Sequence, residues 1–165
     1  MQGEAWFSAV PNPTRPFVVE AAAGTVTALG TSFDIALKKS ETLVTVTEHR
    51  VAIETGGQKT IVPEGQQSSF VPDKPAQPPA PADVERLTAW RRGKLIADDE
   101  PLSYVLAALS RYRHGFVYCL LPAICARRVS GVFGMDDPLQ ALNEIEKSLG
   151  LGAFRLSNYL IVLYD

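Results

Sequence analysis

Two acidic clusters are the residues whose type and spacing most resemble a reaction site. Residues 98–100 (Asp-Asp-Glu) stand directly before Pro101, and residues 136–137 (Asp-Asp) stand directly before Pro138. Neighbouring carboxylates can serve as a general acid and a general base. However, proline is favoured at the first position of a helix, and acidic residues before it cap the helix and offset its dipole. We therefore interpret both clusters as helix starts and predict no catalytic residues.

Other chemical motifs are absent or lie in the wrong context. The sequence has no nucleotide-binding P-loop, zinc-protease, EF-hand or nucleophile-elbow motif. Gly131–Gly134 (GVFG) has the form of the GXXG loop of KH domains, which joins two helices and clamps RNA phosphates, but here it ends a predicted strand and precedes aspartates. His49 lies in a predicted turn and His114 at a predicted helix end. We predict no enzymatic activity, metal, cofactor, small-molecule substrate or nucleic acid.

The chain has two cysteines, Cys119 and Cys125, separated by five residues. This spacing does not match a zinc motif, and two ligands are too few for a structural zinc site. They are either two buried thiols or one local disulfide, and the geometry of the fold decides between these alternatives.

The composition predicts a folded protein. The 165 residues are 46% apolar and 21% charged, which is enough to form a core. The net charge of −2 argues against a general nucleic-acid binder. No apolar run reaches the roughly 18 residues that span a bilayer, and no signal-peptide pattern follows Met1. If the parent protein is exported or anchored, we expect that part to lie outside this chain.

Residues 1–71 predict a unit built from short strands. Residues 32–37 alternate between the two faces of a strand, and Gly56 and Gly57 mark a turn between two further strand candidates. The first predicted strand begins abruptly at Gly3, so we expect this β-rich unit to be truncated at its N-terminus.

Residues 72–83 (PDKPAQPPAPAD) contain five prolines. Proline at this density excludes a helix or a central strand and favours a semi-rigid, extended linker. The alternative is a long surface loop within one domain.

Residues 84–165 predict a small two-layer α+β unit. Asp137 and Pro138 are typical of a helix start, Gln140 completes a capping-box pattern, and Gly150 is typical of a helix end. The predicted order is βαββαβ with one extra strand. Its elements are a helical lead-in at 84–90, strands at 94–97, 116–120, 127–134, 154–156 and 160–163, and helices that begin at Pro101 and Pro138.

The strongest basic pair is Arg127 and Arg128, beside Arg111 and Arg113. One interpretation is solvated charge at the ends of a strand and a helix. The other is a polar rim around an exposed strand, to which an extended partner could add through main-chain hydrogen bonds.

Three segments resemble the periplasmic region of FecR-type anti-sigma factors. Residues 3–35 (GEAWFSAVPNPTRPFVVEAAAGTVTALGTSFDI) are similar to the middle of the FecR β-domain. Residues 89–112 (AWRRGKLIADDEPLSYVLAALSRY) resemble the W-x-x-G, strand, proline and helix of the family. Residues 127–142 (RRVSGVFGMDDPLQAL) resemble the end of an STN module, the short domain shared by secretins and TonB-dependent transducers. The sequence departs from the family at Glu48-His49, where Glu-Gly is usual, so that turn is strained or of another type.

The resemblance implies a signalling role. The parent protein would bind an extracytoplasmic-function sigma factor through a cytoplasmic segment, and an inner-membrane helix would anchor it; both lie outside this chain. The periplasmic part would bind the N-terminal signalling domain of a TonB-dependent outer-membrane transporter, commonly one for siderophores in iron transport regulation. A periplasmic location also permits a disulfide between Cys119 and Cys125.

We expect the STN-like unit to receive the partner along an exposed strand. The alternative function is a secretin-like structural or assembly module, because STN-like folds also occur there. The predicted partner-binding residues are Phe116, Tyr118, Arg127, Arg128 and Val129.

Overall fold

The computed structural model describes residues 3–12, 14–22, 24–157 and 159–165. These residues form a mixed α+β structure in which strands predominate, as the sequence predicts. The chain divides into two compact units, Met1–Leu87 and Thr88–Asp165. None of the helices within the described ranges has the length and apolar character needed to cross a membrane.

The first unit consists of two antiparallel sheets. One sheet has the order β1-β4-β5-β8-β9 and the other has the order β2-β3-β6-β7. The strand predicted at residues 32–37 is β4, and Gly56 and Gly57 lie in the turn between β6 and β7. The strands are β1 Gly3–Ser8, β2 Phe17–Ala21, β3 Gly24–Ala28, β4 Ser32–Leu37, β5 Thr42–Glu48, β6 Arg50–Thr55, β7 Gln58–Pro63, β8 Gln66–Phe70 and β9 Ala80–Pro81.

The core of the first unit comes from the alternation of its strands. Val44 and Val46 of β5 and Val51 and Ile53 of β6 are fully buried, because every second side chain points to the same face of a sheet. The Phe70 ring packs in this core against Gly24, where a Cβ atom would lie only 2.6 Å from a ring carbon.

The proline-rich segment predicted to be a linker lies on the first unit. Gln77 donates its main-chain N–H to the Ser69 carbonyl at 2.8 Å, and the Ser68 hydroxyl donates to the Gln77 carbonyl at 2.6 Å. Farther along, β9 pairs with β8. Residues 72–74 form a turn, in which Asp73 has a φ of 60°. The main-chain groups of the residues after this turn bond to β8 and its neighbours.

The second unit combines helices with two small sheets. β10 and β12 form an antiparallel pair, whereas β11 lies parallel to β14, which pairs with β13 on its other side. A short helix that the sequence did not indicate, α3, lies between β11 and β12. The elements after α1 (Val84–Thr88) are a 3-10 turn at Ala89–Arg92, β10 Lys94–Pro101, α2 Leu102–Ser110, β11 Phe116–Cys119, α3 Pro122–Cys125, β12 Arg128–Gly134, α4 Pro138–Leu149, β13 Gly152–Leu156 and β14 Leu160–Tyr164.

The residues predicted to start and end α4 do so in the structure. The Asp137 carboxylate accepts a hydrogen bond from the Gln140 N–H at 3.0 Å, and Gly150 ends the helix with a φ of 64°. The capping box is only half formed, because the Gln140 side chain donates to Glu144 instead.

The other acidic cluster is not a helix cap, which corrects the sequence interpretation. Asp98, Asp99 and Glu100 belong to β10, which pairs with β12 around an irregularity in register. The first N–H of α2, on Leu102, donates to the Arg127 carbonyl at 2.8 Å. A long-range main-chain bond thus replaces the predicted carboxylate cap.

Buried side chains of α2 and α4 pack with the inward-facing side chains of both sheets to form the second core. Leu109 and Leu142 of the helices and Ile161 and Leu163 of β14 are fully buried. This packing leaves the opposite face of the β11-β14-β13 sheet outside the core.

Candidate interaction surface

β11 is an edge strand of the β11-β14-β13 sheet. The N–H groups of Phe116 and Leu120 donate to the carbonyls of Tyr159 and Leu163, at 2.7 and 2.8 Å. Because main-chain groups alternate along a strand, the N–H and C=O of Val117 and Cys119 point to the edge away from β14, where the Cys119 carbonyl lies 3.6 Å from the Cys125 Sγ. This edge has the geometry to accept an added strand.

Phe116 and Tyr118 project from β11 on the side away from the core. Their side chains are 49% and 53% exposed, and their rings stack with centroids 6.0 Å apart. Tyr159 contacts the Phe116 ring edge-on, with centroids 5.5 Å apart. The two predicted aromatic residues therefore lie together at the surface.

These two rings belong to a larger apolar surface, which we call the outer sheet face. Strand register aligns Phe116 with Leu160 and Leu156, and Tyr118 with Val162 and Phe154. Sequence reasoning missed the contributions of β13 and β14. The side chains on both sides of β14 are apolar, so an alternation of apolar and polar residues does not show which side faces the core. The outer sheet face comprises Phe116, Tyr118, Leu120, Phe154, Leu156, Tyr159, Leu160, Val162 and Tyr164.

The other three predicted residues lie at β12, in the other sheet. Arg127 donates to the Leu149 carbonyl at 2.8 Å and to the Asp165 carboxylate at 3.0 Å. Arg128 is exposed and donates to the Asp99 carbonyl at 2.8 Å. Val129 is buried in the core, because β12 turns this side chain inward. The structure thus brings Phe116 and Tyr118 together but does not place Val129 on the surface with them.

Cys119 and Cys125 form a disulfide in the structure. Their Cα atoms are 5.5 Å apart, which is the usual separation for a bonded pair. The bond joins the last residue of β11 to the end of α3 and borders a shallow groove of about 540 Å³ beside Leu120 and Pro122. It therefore restrains the end of the edge strand.

Arg113 lies beside the outer sheet face at β11. Arg113 donates a weak hydrogen bond to the Phe116 carbonyl at 3.4 Å, and desolvation by burial lowers the pKa of its guanidinium. Arginine stays protonated in proteins, so this group remains a cation beside the strand. Within the described ranges, no three His, Cys, Asp or Glu side chains are grouped so that they could hold a metal ion.

Comparisons with known proteins agree with this fold. Residues 1–52 match the family model described as FecR protein, and no curated protein matches the sequence. Two crystal structures of a proposed anti-sigma factor from Parabacteroides distasonis ATCC 8503, at 1.65 and 2.50 Å resolution, are similar, with TM-scores of 0.76 and 0.75. Each is 23% identical, and the alignments cover 99% of this chain and 78% of the solved chains.

The two solved structures are evidence for the fold, whereas the family model matches the amino-acid sequence of residues 1–52. The matched residues include the segment 3–35 on which the resemblance to the FecR β-domain rests. The comparisons confirm that resemblance, because residues 1–52 match the FecR family model and the chain shares its fold with the two solved Parabacteroides structures.

Proposed function

We propose that this chain is the periplasmic signal-receiving region of a transmembrane anti-sigma factor. Its partner is the N-terminal signalling domain of a TonB-dependent outer-membrane transporter, of the siderophore type. The parent protein, anchored in the inner membrane, controls an extracytoplasmic-function sigma factor through a segment outside this chain. The FecR-family match and the fold support a regulatory role of this kind.

The open edge of β11 is the observation that carries the proposal. A partner strand would bond to the main-chain groups of Val117 and Cys119 and contact the exposed rings of Phe116 and Tyr118. Main-chain bonds supply affinity in this recognition mode, and alternate side chains supply specificity. The STN-like character of the second unit is part of this proposal.

Arg127 and Arg128 have different roles in the proposed complex. Arg128 is exposed and would steer an acidic partner to the second unit by long-range attraction. Arg127 holds the end of α4 and the C-terminal Asp165 in place, so its contribution is to keep the second unit intact. Val129 would contribute only by fixing the position of β12.

A binding titration with purified signalling domains from a panel of TonB-dependent transporters tests the proposal. We expect one of them to bind with a Kd in the range of about 0.1 to 10 µM, as is common for signalling contacts. Tyr118→Ala should weaken that binding about tenfold or more, whereas Ile61→Ala, at an exposed site on β7, should not.

Hydrogen exchange distinguishes strand addition from other binding modes. The Val117 and Cys119 amides should exchange fast in the free chain and become protected in the complex, while the Phe116 amide, already bonded to Tyr159, changes little. Absence of binding across the panel would contradict the proposed function. Binding without protection of these two amides would contradict strand addition.

A further inference from the structure

The outer sheet face is an uncovered apolar surface of the β11-β14-β13 sheet, whose opposite face packs in the second core. Seven of its residues are between 43% and 62% exposed, and Leu160 and Val162 are half-buried between them. Gly152 lets the Tyr164 ring lie flat on β13, because a Cβ there would come within 2.6 Å of the ring. The surface is continuous across all three strands. Exposed apolar patches of this kind are rare on monomers and mark interaction sites.

The chemistry of the face restricts what can cover it. None of the described residues that form it is charged. A partner that buried a charge against it would lose the hydration of that charge without gaining an ion pair. The tyrosine hydroxyls lie at exposed positions, where they can keep contact with water at the rim. The occupant must therefore present an uncharged apolar surface of similar extent.

The area of the face matches one side of a stable interface. An aromatic side chain buries about 150–250 Å², so the five aromatic residues of the face, each near half exposure, present roughly 500 Å², to which Leu120 and Leu156 add. A standard interface buries about 800 Å² on each partner. One other surface of matching area and chemistry is the same face on a second copy, since the residues that form the face carry no charge to oppose one another across a two-fold axis.

We propose that a second copy of this chain packs face to face on the outer sheet face, so that two β11-β14-β13 sheets form the two layers of a closed dimer. Sheets packed in this way interdigitate their side chains about 10 Å apart. The contact runs perpendicular to the sheet, whereas strand addition at β11 runs within its plane. The dimer therefore leaves the Val117 and Cys119 main-chain groups open. It covers the rings of Phe116 and Tyr118, which the proposed partner would also contact, but the observations behind it do not depend on the proposed function.

Sedimentation velocity of the whole chain tests this dimer. Between about 1 and 100 µM, we expect the sedimentation coefficient to rise from that of a monomer to that of a dimer and no further. Phe154→Glu lies on β13, away from the β11 edge, and should weaken dimerisation about a hundredfold or more by burying a charge at the contact. Ile61→Glu makes the same kind of change on the first unit and should leave dimerisation unchanged.

A second variant and two alternative outcomes complete the test. Leu156→Glu, at another exposed position of the face, should reproduce the effect of Phe154→Glu, and circular dichroism checks that both variants fold. A chain that stays monomeric at 100 µM would overturn the dimer, as would a signalling domain that covers Phe154 and Leu156. Oligomers that grow beyond two copies would also overturn it, because they require a contact that does not close.

Discussion

The two units use the outer faces of their sheets in different ways. In the first unit, the β6–β7 hairpin carries Glu54 opposite Lys59 on its outer side, with an ion pair of 3.0 Å between them. In the second unit, the corresponding position between β13 and β14 pairs Phe154 with Val162. A charged cross-strand pair is stable in water, whereas a row of apolar side chains that stays in contact with water is unfavourable in free energy. The comparison therefore favours the second unit as the place of the proposed interaction surface.

We expect the largest effect on unfolding free energy to distinguish side chains on the inner side of β14 from those on its outer side. Ile161 is fully buried in the second core, so Ile161→Ala should cost about 3 kcal/mol of unfolding free energy. Val162 lies next to it on the outer sheet face, so Val162→Thr should cost less than about 0.5 kcal/mol in the monomer. Urea unfolding at low protein concentration measures both. If both variants lost the same unfolding free energy, the outer side of β14 would be packed like a core, which would contradict the contrast between the two units.

A covalent restraint distinguishes the second unit from the first. Reduction of the Cys119–Cys125 disulfide should destabilise the second unit by about 2 kcal/mol, because a short loop gains freedom in the unfolded chain. Hydrogen exchange with and without reductant should show faster exchange in β11 and no change in β5 and β6. A variant with Cys119→Ser and Cys125→Ser is the control and should not respond to reductant. Loss of protection in the first unit would contradict an effect confined to the second.

The two acidic clusters of the second unit give a smaller contrast. Asp137→Ala should cost about 1 kcal/mol, because it removes the acceptor for the Gln140 N–H at the start of α4. Asp98→Ala should stay within about 0.5 kcal/mol, because Asp98 lies in a strand and is exposed. Asp137→Asn keeps a capping side chain and should recover most of the loss. Thermal unfolding of the three variants measures this order, and a larger effect at Asp98 would reverse it.

This contrast also shows how far the sequence could predict the fold. The start and end of α4 follow from Asp137, Pro138 and Gly150, because capping depends on neighbours within one turn. The same reasoning failed at residues 98–100, because pairing between β10 and β12 depends on residues about 30 positions away and outweighs a local cap. The docking of the proline-rich segment has the same origin, since its acceptors and donors lie on β8 and its neighbours.

The candidate surface was predictable only in part. Phe116 and Tyr118 alternate with Val117 in a short strand, and that pattern was sufficient to place both rings on one side. Val129 was expected in the exposed-strand region, yet the face to which its side chain points depends on where α2 and α4 pack. Similarly, the composition of β14 could not indicate which of its two apolar sides is covered.

The smallest expected effect concerns the turn between β5 and β6 in the first unit. His49 has a φ of 59°, in the left-handed region that favours glycine, and its N–H donates to the Glu64 carboxylate at 2.9 Å. His49→Gly should therefore stabilise the first unit by about 0.5 kcal/mol, because relief of the left-handed backbone exceeds the added entropy of the unfolded chain. His49→Ala keeps the same backbone cost and should give no gain. Both variants keep the main-chain bond to Glu64, so the difference between them in urea unfolding isolates the strain at this turn. A His49→Gly variant less stable than the parent chain would mean that the imidazole ring makes a contact worth more than the strain.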